Sequence, residues 1–209
     1  MHPVTTKGRL RLTGGRRLIS PDGTATRPTT ARVREAVMNI LAPRLKGSRW
    51  LDLCSGSGVM GCEAIERGVS AVLAVERDRQ CARICIENLN AVADQFETKP
   101  LVRVVRRDVI GWLKEKWKED PFDIIYFDPP YDRDLYQSTL KLLSQGSWVR
   151  HNGVLICEHR SGQEPDGASD WTIVDRRCYG TSSLLLLSPP EHSLHGGTGS
   201  MPPRKGPSA

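Results

Sequence analysis

Between positions 49 and 160 the chain alternates compact apolar runs with amphipathic stretches. Trp50–Leu53, Ala71–Val75, Leu101–Val105, Phe122–Phe127 and Val154–Glu158 are short and rich in β-branched or aromatic residues, as buried strands are. The stretches between them have helical spacing: Val59–Arg67, Arg79–Ala93, Val109–Lys118 and a segment near Leu135–Leu143. In Arg79–Ala93, residues Cys81, Ile84, Cys85, Leu89 and Val92 fall on one stripe. Strand and helix in strict alternation imply parallel strands joined by helical crossovers. Two further runs, Trp171–Asp175 and Leu184–Leu187, predict a terminal antiparallel pair. The expected fold is α/β, with a doubly wound, mostly parallel seven-stranded sheet.

The first 48 residues follow another rhythm. Leu10, Leu12, Leu18 and Ile19 alternate with basic residues around Gly14-Gly15, which predicts a small hairpin. A turn at Pro21-Asp22-Gly23 and the segment Arg27-Pro28-Thr29-Thr30 lead into a helix from Ala31 to Leu41. Val33, Val37, Ile40 and Leu41 give it an apolar face, and Pro43 is expected to stop it. The residues after Pro189 have almost nothing apolar to bury and are expected to be disordered. Three parts follow: a basic hairpin and helix over 1–48, a core over 49–188, and a tail over 189–209.

Charge changes the picture for the first part. Residues 1–49 hold eleven Lys and Arg against Asp22 and Glu35, a net +9, whereas the remainder nets −3. That segregation suits a surface that grips a phosphate backbone. Six cysteines lack C-x-x-C or His/Cys spacing, so no metal is expected and the thiols read as small core residues of a reduced cytosolic protein. No run of eighteen apolar residues exists, and the N-terminus has no apolar signal segment. A cytoplasmic monomer that spans no membrane is the expectation.

The candidate chemistry sits at strand ends. Leu51-Asp52-Leu53-Cys54-Ser55-Gly56-Ser57-Gly58 places a glycine-rich loop directly after the first sheet strand. Glycines allow a tight turn and close backbone approach to a ligand. Gly56 to Gly61 satisfies the dinucleotide fingerprint, and Glu76 ends the next strand, where a carboxylate can hold ribose hydroxyls. A nicotinamide enzyme and an S-adenosylmethionine (SAM) enzyme are both open at this point. Asp52, inside the strand end, would sit badly beside a pyrophosphate but can pair with an ammonium. Asp108, closing the third strand, can accept from an adenine amine. Each acid alone can equally be a helix cap.

Asp128-Pro129-Pro130-Tyr131 follows the fourth strand. Proline fixes φ, lacks an N–H and holds its predecessor extended. The result is an acceptor-rich lip: a carboxylate, a fixed carbonyl and a flat ring, suited to holding the amino group of a nucleobase.

With these residues in place, the chain resembles the class I SAM-dependent amino-methyltransferases. More narrowly it resembles the bacterial small-subunit rRNA guanine-N2 methyltransferases of the RsmD type, over about Arg9 to Leu187. The resemblance rests on Gly14-Gly15, Arg27 through Glu35, Asp52 through Gly61, Glu76, Asp128 through Tyr131, and Tyr179-Gly180-Thr181. It departs at Cys54-Ser55, where an aromatic residue and Ala are usual, and in a shortened hairpin. The resemblance implies a Rossmann-like fold and SAM as cofactor, held by Asp52, Ser55, Gly56, Gly58, Glu76 and Asp108. It implies Asp128, Pro129, Pro130 and Tyr131 at the reacting amine. Arg9, Arg11, Arg16, Arg17, Arg27, Thr29, Thr30 and Arg32 are expected to meet ribosomal RNA within a small-subunit assembly particle. The other readings are a DNA or tRNA amino-methyltransferase, an NAD-dependent oxidoreductase, and a non-catalytic RNA-binding assembly factor.

Overall fold

The computed structural model describes residues 7–21, 30–115, 117–130 and 135–189, with side chains from Leu10 onward in the first stretch. The Pro21-Asp22-Gly23 turn beyond Pro21, the Arg27-Pro28-Thr29 segment, Tyr131 and the tail from Pro190 lie outside the described residues, as does the side chain of Arg9.

Strands β1 (Lys7–Arg11) and β2 (Arg17–Ile19) pair antiparallel around the Gly14-Gly15 turn. Gly15 takes φ +87°, which only a residue without Cβ adopts freely. Helix α1 (Ala31–Leu45) follows, capped by Thr30, whose hydroxyl accepts the Val33 N–H at 3.3 Å. The α/β alternation then runs β3 (Arg49–Leu53), α2 (Val59–Glu66), β4 (Ala71–Glu76), α3 (Arg79–Ala93), β5 (Leu101–Arg106), α4 (Val109–Leu113), β6 (Phe122–Phe127), α5 (Tyr136–Gln145) and β7 (Val149–Arg160). An antiparallel pair, β8 (Thr172–Tyr179) and β9 (Ser182–Ser188), completes it. The seven-stranded sheet has the order β5-β4-β3-β6-β7-β9-β8, parallel from β5 through β7.

Two apolar layers follow from the two-residue period of the strands. Trp50, Val72, Ala74, Ile124, Tyr126 and Ile156 face α1, α2, α3 and the hairpin's Leu10, Leu12 and Leu18. Leu51, Leu53, Leu73, Val75, Ile125 and Phe127 face α4 and α5. Asp52 shares the parity of Trp50, so it points into the first layer, beneath α2.

Four boundaries differ from expectation by four residues or more. Helix α1 runs through Pro43 to Leu45, because Leu45 is 1% exposed and its burial holds the last turn while Pro43 stands in solvent. Helix α4 ends at Leu113 rather than Lys118. There Trp117 leaves helical geometry to pack on Trp148, with ring centroids 5.1 Å apart, and donates to the Asp120 carbonyl at 3.1 Å. Strand β7 starts at Val149, not Val154, through an irregularity at Gly153, where a Cβ would lie 2.7 Å from a Val149 methyl. Strand β8 reaches Tyr179, beyond the expected Asp175. Among the described residues no helix is long and apolar enough to cross a membrane.

Candidate active site

Strand order reverses between β3 and β6: the chain moves outward through β4 and β5, then returns to the other side of β3. In such sheets the crevice outside the carboxyl ends of the strands at the reversal is where ligands bind. The strand ends and loops at that edge carry the four predicted acids.

The loop after β3 is tightly built. Cys54, Gly56 and Gly58 all take left-handed backbone, with φ of 62°, 54° and 77°. Cys54 is the one non-glycine with positive φ among the described residues, a strain of order 1–3 kcal/mol that the sequence did not announce. The Ser55 N–H donates to Val75 O at 3.1 Å and the Gly58 N–H to Ser55 O at 2.8 Å. A Cβ at Gly58 would meet the Cys85 sulfur at 2.7 Å, whereas at Gly56 it would meet open space. Gly56 therefore borders the crevice and Gly58 packs against α3. Ser55 Oγ lies 3.6 Å from the same sulfur, a buried contact that fixes the loop and does not aim the hydroxyl outward.

Glu76 holds the loop from β4. One carboxylate oxygen accepts the Gly56 N–H at 2.8 Å and the other the Asp78 N–H at 2.7 Å. Each oxygen keeps a further lone pair. Asp108 caps α4, accepting the Gly111 N–H at 2.9 Å, and is exposed. After β6, Asp128 is half-buried, Pro129 buried and Pro130 exposed.

Asp52 is 2% exposed, and its Oδ2 meets no hydrogen-bond partner among the described residues. Burial pushes its carboxyl up to about 8; the Gly61 N–H draws it down and Glu76 pushes it up further. The Cys54 thiol reports the convergence of the acids. Burial raises it most, then Glu76, Asp128, Asp52 and Asp108 in turn, so all four carboxylates act on one point.

Two buried polar side chains that the sequence reading passed over fasten the hairpin, one to this loop and one to α2. Asn88 on α3 is 2% exposed. Its Oδ1 accepts the Ile19 N–H at 2.9 Å, and its Nδ2 donates to Ile19 O and to Ser57 O, each at 3.0 Å. Glu63 on α2 is 1% exposed and accepts from Thr13 N at 2.8 Å, Thr13 Oγ1 at 2.9 Å, Arg67 Nη1 at 2.8 Å and Arg34 Nε at 3.4 Å. Arg34 also donates to Arg11 O at 2.6 Å. A polar residue on an otherwise apolar stripe was the available signal. Among the expected RNA contacts, Arg16 pairs with Glu66 at 3.1 Å, Arg11 donates to Gly15 O at 3.0 Å, Arg17 and Arg32 are exposed, and Thr30 is the α1 cap.

The family described as "Conserved hypothetical protein 95" matches residues 10–188. Ribosomal RNA small subunit methyltransferase D of Escherichia coli strain K12 is 34% identical over 184 residues, 86% of this chain and 89% of the relative. The chain belongs to the RsmD family. Its namesake from Buchnera aphidicola subsp. Acyrthosiphon pisum is 31% identical over 72% of this chain and 76% of the relative. A solved E. coli structure, named "Putative methyltransferase yhhF", superposes with a TM-score of 0.74 at 30% identity, covering 87% of this chain and 98% of that one. The RsmD-family match thus spans the hairpin from Leu10, the whole sheet and every acid at its carboxyl edge.

Proposed function

We propose that this methyltransferase transfers a methyl group from SAM to the exocyclic N2 amine of a guanine in small-subunit ribosomal RNA. The observation that carries the reading is the placement of the Asp128-Pro129-Pro130 lip across the strand-order reversal from the glycine loop, with four carboxylates converging there. The names of the RsmD-family relatives support the ribosomal substrate.

The residues fit the cofactor on two features. Gly56 leaves open space where a side chain would stand, and Asp52 offers a buried oxygen with no partner among the described residues. Glu76, oriented by two main-chain N–H groups, has lone pairs left for a ribose diol, Asp108 for an adenine amine, and Asp52 for an ammonium. SAM, when bound, supplies a methyl group made electrophilic by its sulfonium.

The protein's task is to prepare the nucleophile. The N2 lone pair of guanine is delocalised into the ring. The Asp128 carboxylate and the Pro129 carbonyl each accept one N2–H, which turns the lone pair toward the methyl and stabilises the positive charge that develops on nitrogen until the amine sheds one of these protons to solvent. Tyr131 stacks on the base, which reaches the lip unpaired or flipped out. Proline at both following positions removes main-chain N–H donors that would compete for the same acceptors. The 69 residues between Gly58 and Asp128 form ordinary strands and helices, so no separate recognition domain lies there. Site choice then rests on the basic hairpin and on the shape of an assembly particle in the cytoplasm, met by the monomer.

The test is methylation of small subunits from cells lacking the gene, with labelled SAM, followed by mass mapping of the modified nucleotide. N2-methylguanine in the small-subunit RNA is the expected product. Label appearing in DNA or transfer RNA instead, or none at all in any nucleic acid, refutes the reading.

A further inference from the structure

At the sheet edge opposite the glycine loop, where β3, β6 and β7 begin, the chain forms an open cleft of about 490 Å³. It is lined by Arg44, Lys46, Arg49 and Arg150, with Asp123 as its carboxylate. Asp123 is already engaged: one oxygen accepts the Arg49 main-chain N–H at 2.8 Å, and the other pairs with Arg150 Nε at 3.2 Å. The Arg49 guanidinium lies 5.4 Å above the Phe122 ring, and its buried Nε meets no acceptor among the described residues. Arg44 donates to Asn152 O at 2.9 Å, a main-chain carbonyl that cancels no charge. A position at the C-terminus of α1 accounts for Arg44 by dipole complementarity. It does not account for Arg49 and Arg150, which stand at strand starts.

Four cations around one occupied carboxylate fit an anion with several oxygens. A guanidinium presents its donors in its own plane, as phosphate recognition uses them. The hairpin supplies the continuity that favours a polyanion over a free ion. At one end Asn88 ties Ile19 to the glycine loop. At the other, Arg16 pairs with Glu66 at the end of α2, and two residues on Gly68 O accepts the N–H of Gly47 in the cleft wall at 2.8 Å. The basic hairpin thus lies along α2, from the glycine loop to the helix end that leads into the cleft wall.

We infer that this cleft is a second backbone subsite, which takes a phosphodiester of the same RNA whose base is methylated at the opposite edge. The inference rests on the ribosomal RNA reading above. Arg44 and Lys46 are exposed and away from the reacting groups, so Arg44→Gln with Lys46→Gln tests it without endangering the fold. RNA affinity is measured as a function of salt, beside methyl-transfer kinetics on small subunits and calorimetric titration of SAM. The double variant is expected to lower the slope of log affinity against log salt by about 0.7 for each phosphate contact removed. KM for the particle should rise, while kcat and SAM affinity stay unchanged. Arg49→Lys, which keeps the charge but loses the planar fork, should also raise KM. An unchanged slope and KM overturn the subsite, and so does cleft binding of inorganic phosphate, followed by NMR, that leaves the RNA slope untouched. A wild-type protein that binds no RNA at all refutes the functional reading itself, a separate result.

Discussion

Asp52→Asn separates two roles that a buried carboxylate at this position can play. Folding raises its carboxyl from 3.8 to about 8, chiefly by burial. The folded state therefore favours the neutral form. The stability this contributes is complete below pH 4 and is lost progressively as pH rises from about 4 to about 8. At pH 7 roughly three units of that window have been crossed, a loss on the order of 4 kcal/mol at about 1.4 kcal/mol per unit. Asparagine is neutral throughout and can still accept the Gly61 N–H, but its amide donors meet the place where Oδ2 has no partner among the described residues, which costs about 1–3 kcal/mol. The variant should gain roughly 1–3 kcal/mol at pH 7 and raise Tm by about 5 °C, with no gain at pH 4. Cofactor binding should move the other way. If the ionised carboxylate receives the ammonium of SAM, wild-type affinity rises about tenfold per unit toward pH 8 and falls above it as the α-amino group, near 8 itself, loses its proton. The variant should bind SAM about 5- to 150-fold more weakly at pH 8, and the rising limb should vanish. Calorimetric titration across pH 6–9 reads both. Equal affinity for the two proteins, with the stability gain intact, would show Asp52 to be only a buried acceptor for the Gly61 N–H and would remove it from the cofactor site.

Asp128→Ala should cut methyl transfer by roughly a hundredfold or more while sparing SAM affinity, since its carboxylate serves the acceptor base; near-normal turnover in the folded variant refutes the lip mechanism. Gly58→Ala combines a φ of 77° with a Cβ 2.7 Å from the Cys85 sulfur, and should lower stability by about 1–3 kcal/mol and weaken SAM binding, read by denaturant titration and calorimetry. Asn88→Ala removes three hydrogen bonds that join Ile19 to Ser57. A loss of about 2–4 kcal/mol is expected, with KM for RNA raised more than kcat is lowered, and faster amide exchange at Ile19 reports the released hairpin.

The order of strands and helices was legible in the sequence because parallel strands buried on both faces must be apolar throughout, and the helices between them must show one apolar stripe. Which layer Asp52 enters, beneath α2, was decided only by the packing of the helices on the sheet. The glycine loop and the acids at strand ends were legible for a similar reason: turns and close backbone approach leave glycine at fixed offsets. Proline at 43 misled, since burial of Leu45 outweighs a lost main-chain donor. Trp117 misled likewise, because ring packing on Trp148 overrides helical spacing. Neither competing contact is local, so no window of sequence contains it. The same holds for Asn88 and Glu63, whose partners lie 69 and 50 residues away along the chain. The strongest case is the basic N-terminal quarter. As sequence it is one charge run of +9. In the folded chain Arg16 pairs with Glu66 along α2, Arg34 is buried on Glu63, and Arg44, Lys46 and Arg49 join Arg150 at the far edge of the sheet. Charge is additive along a sequence, but its field depends on where the sheet carries each residue, and only the tertiary structure decides that.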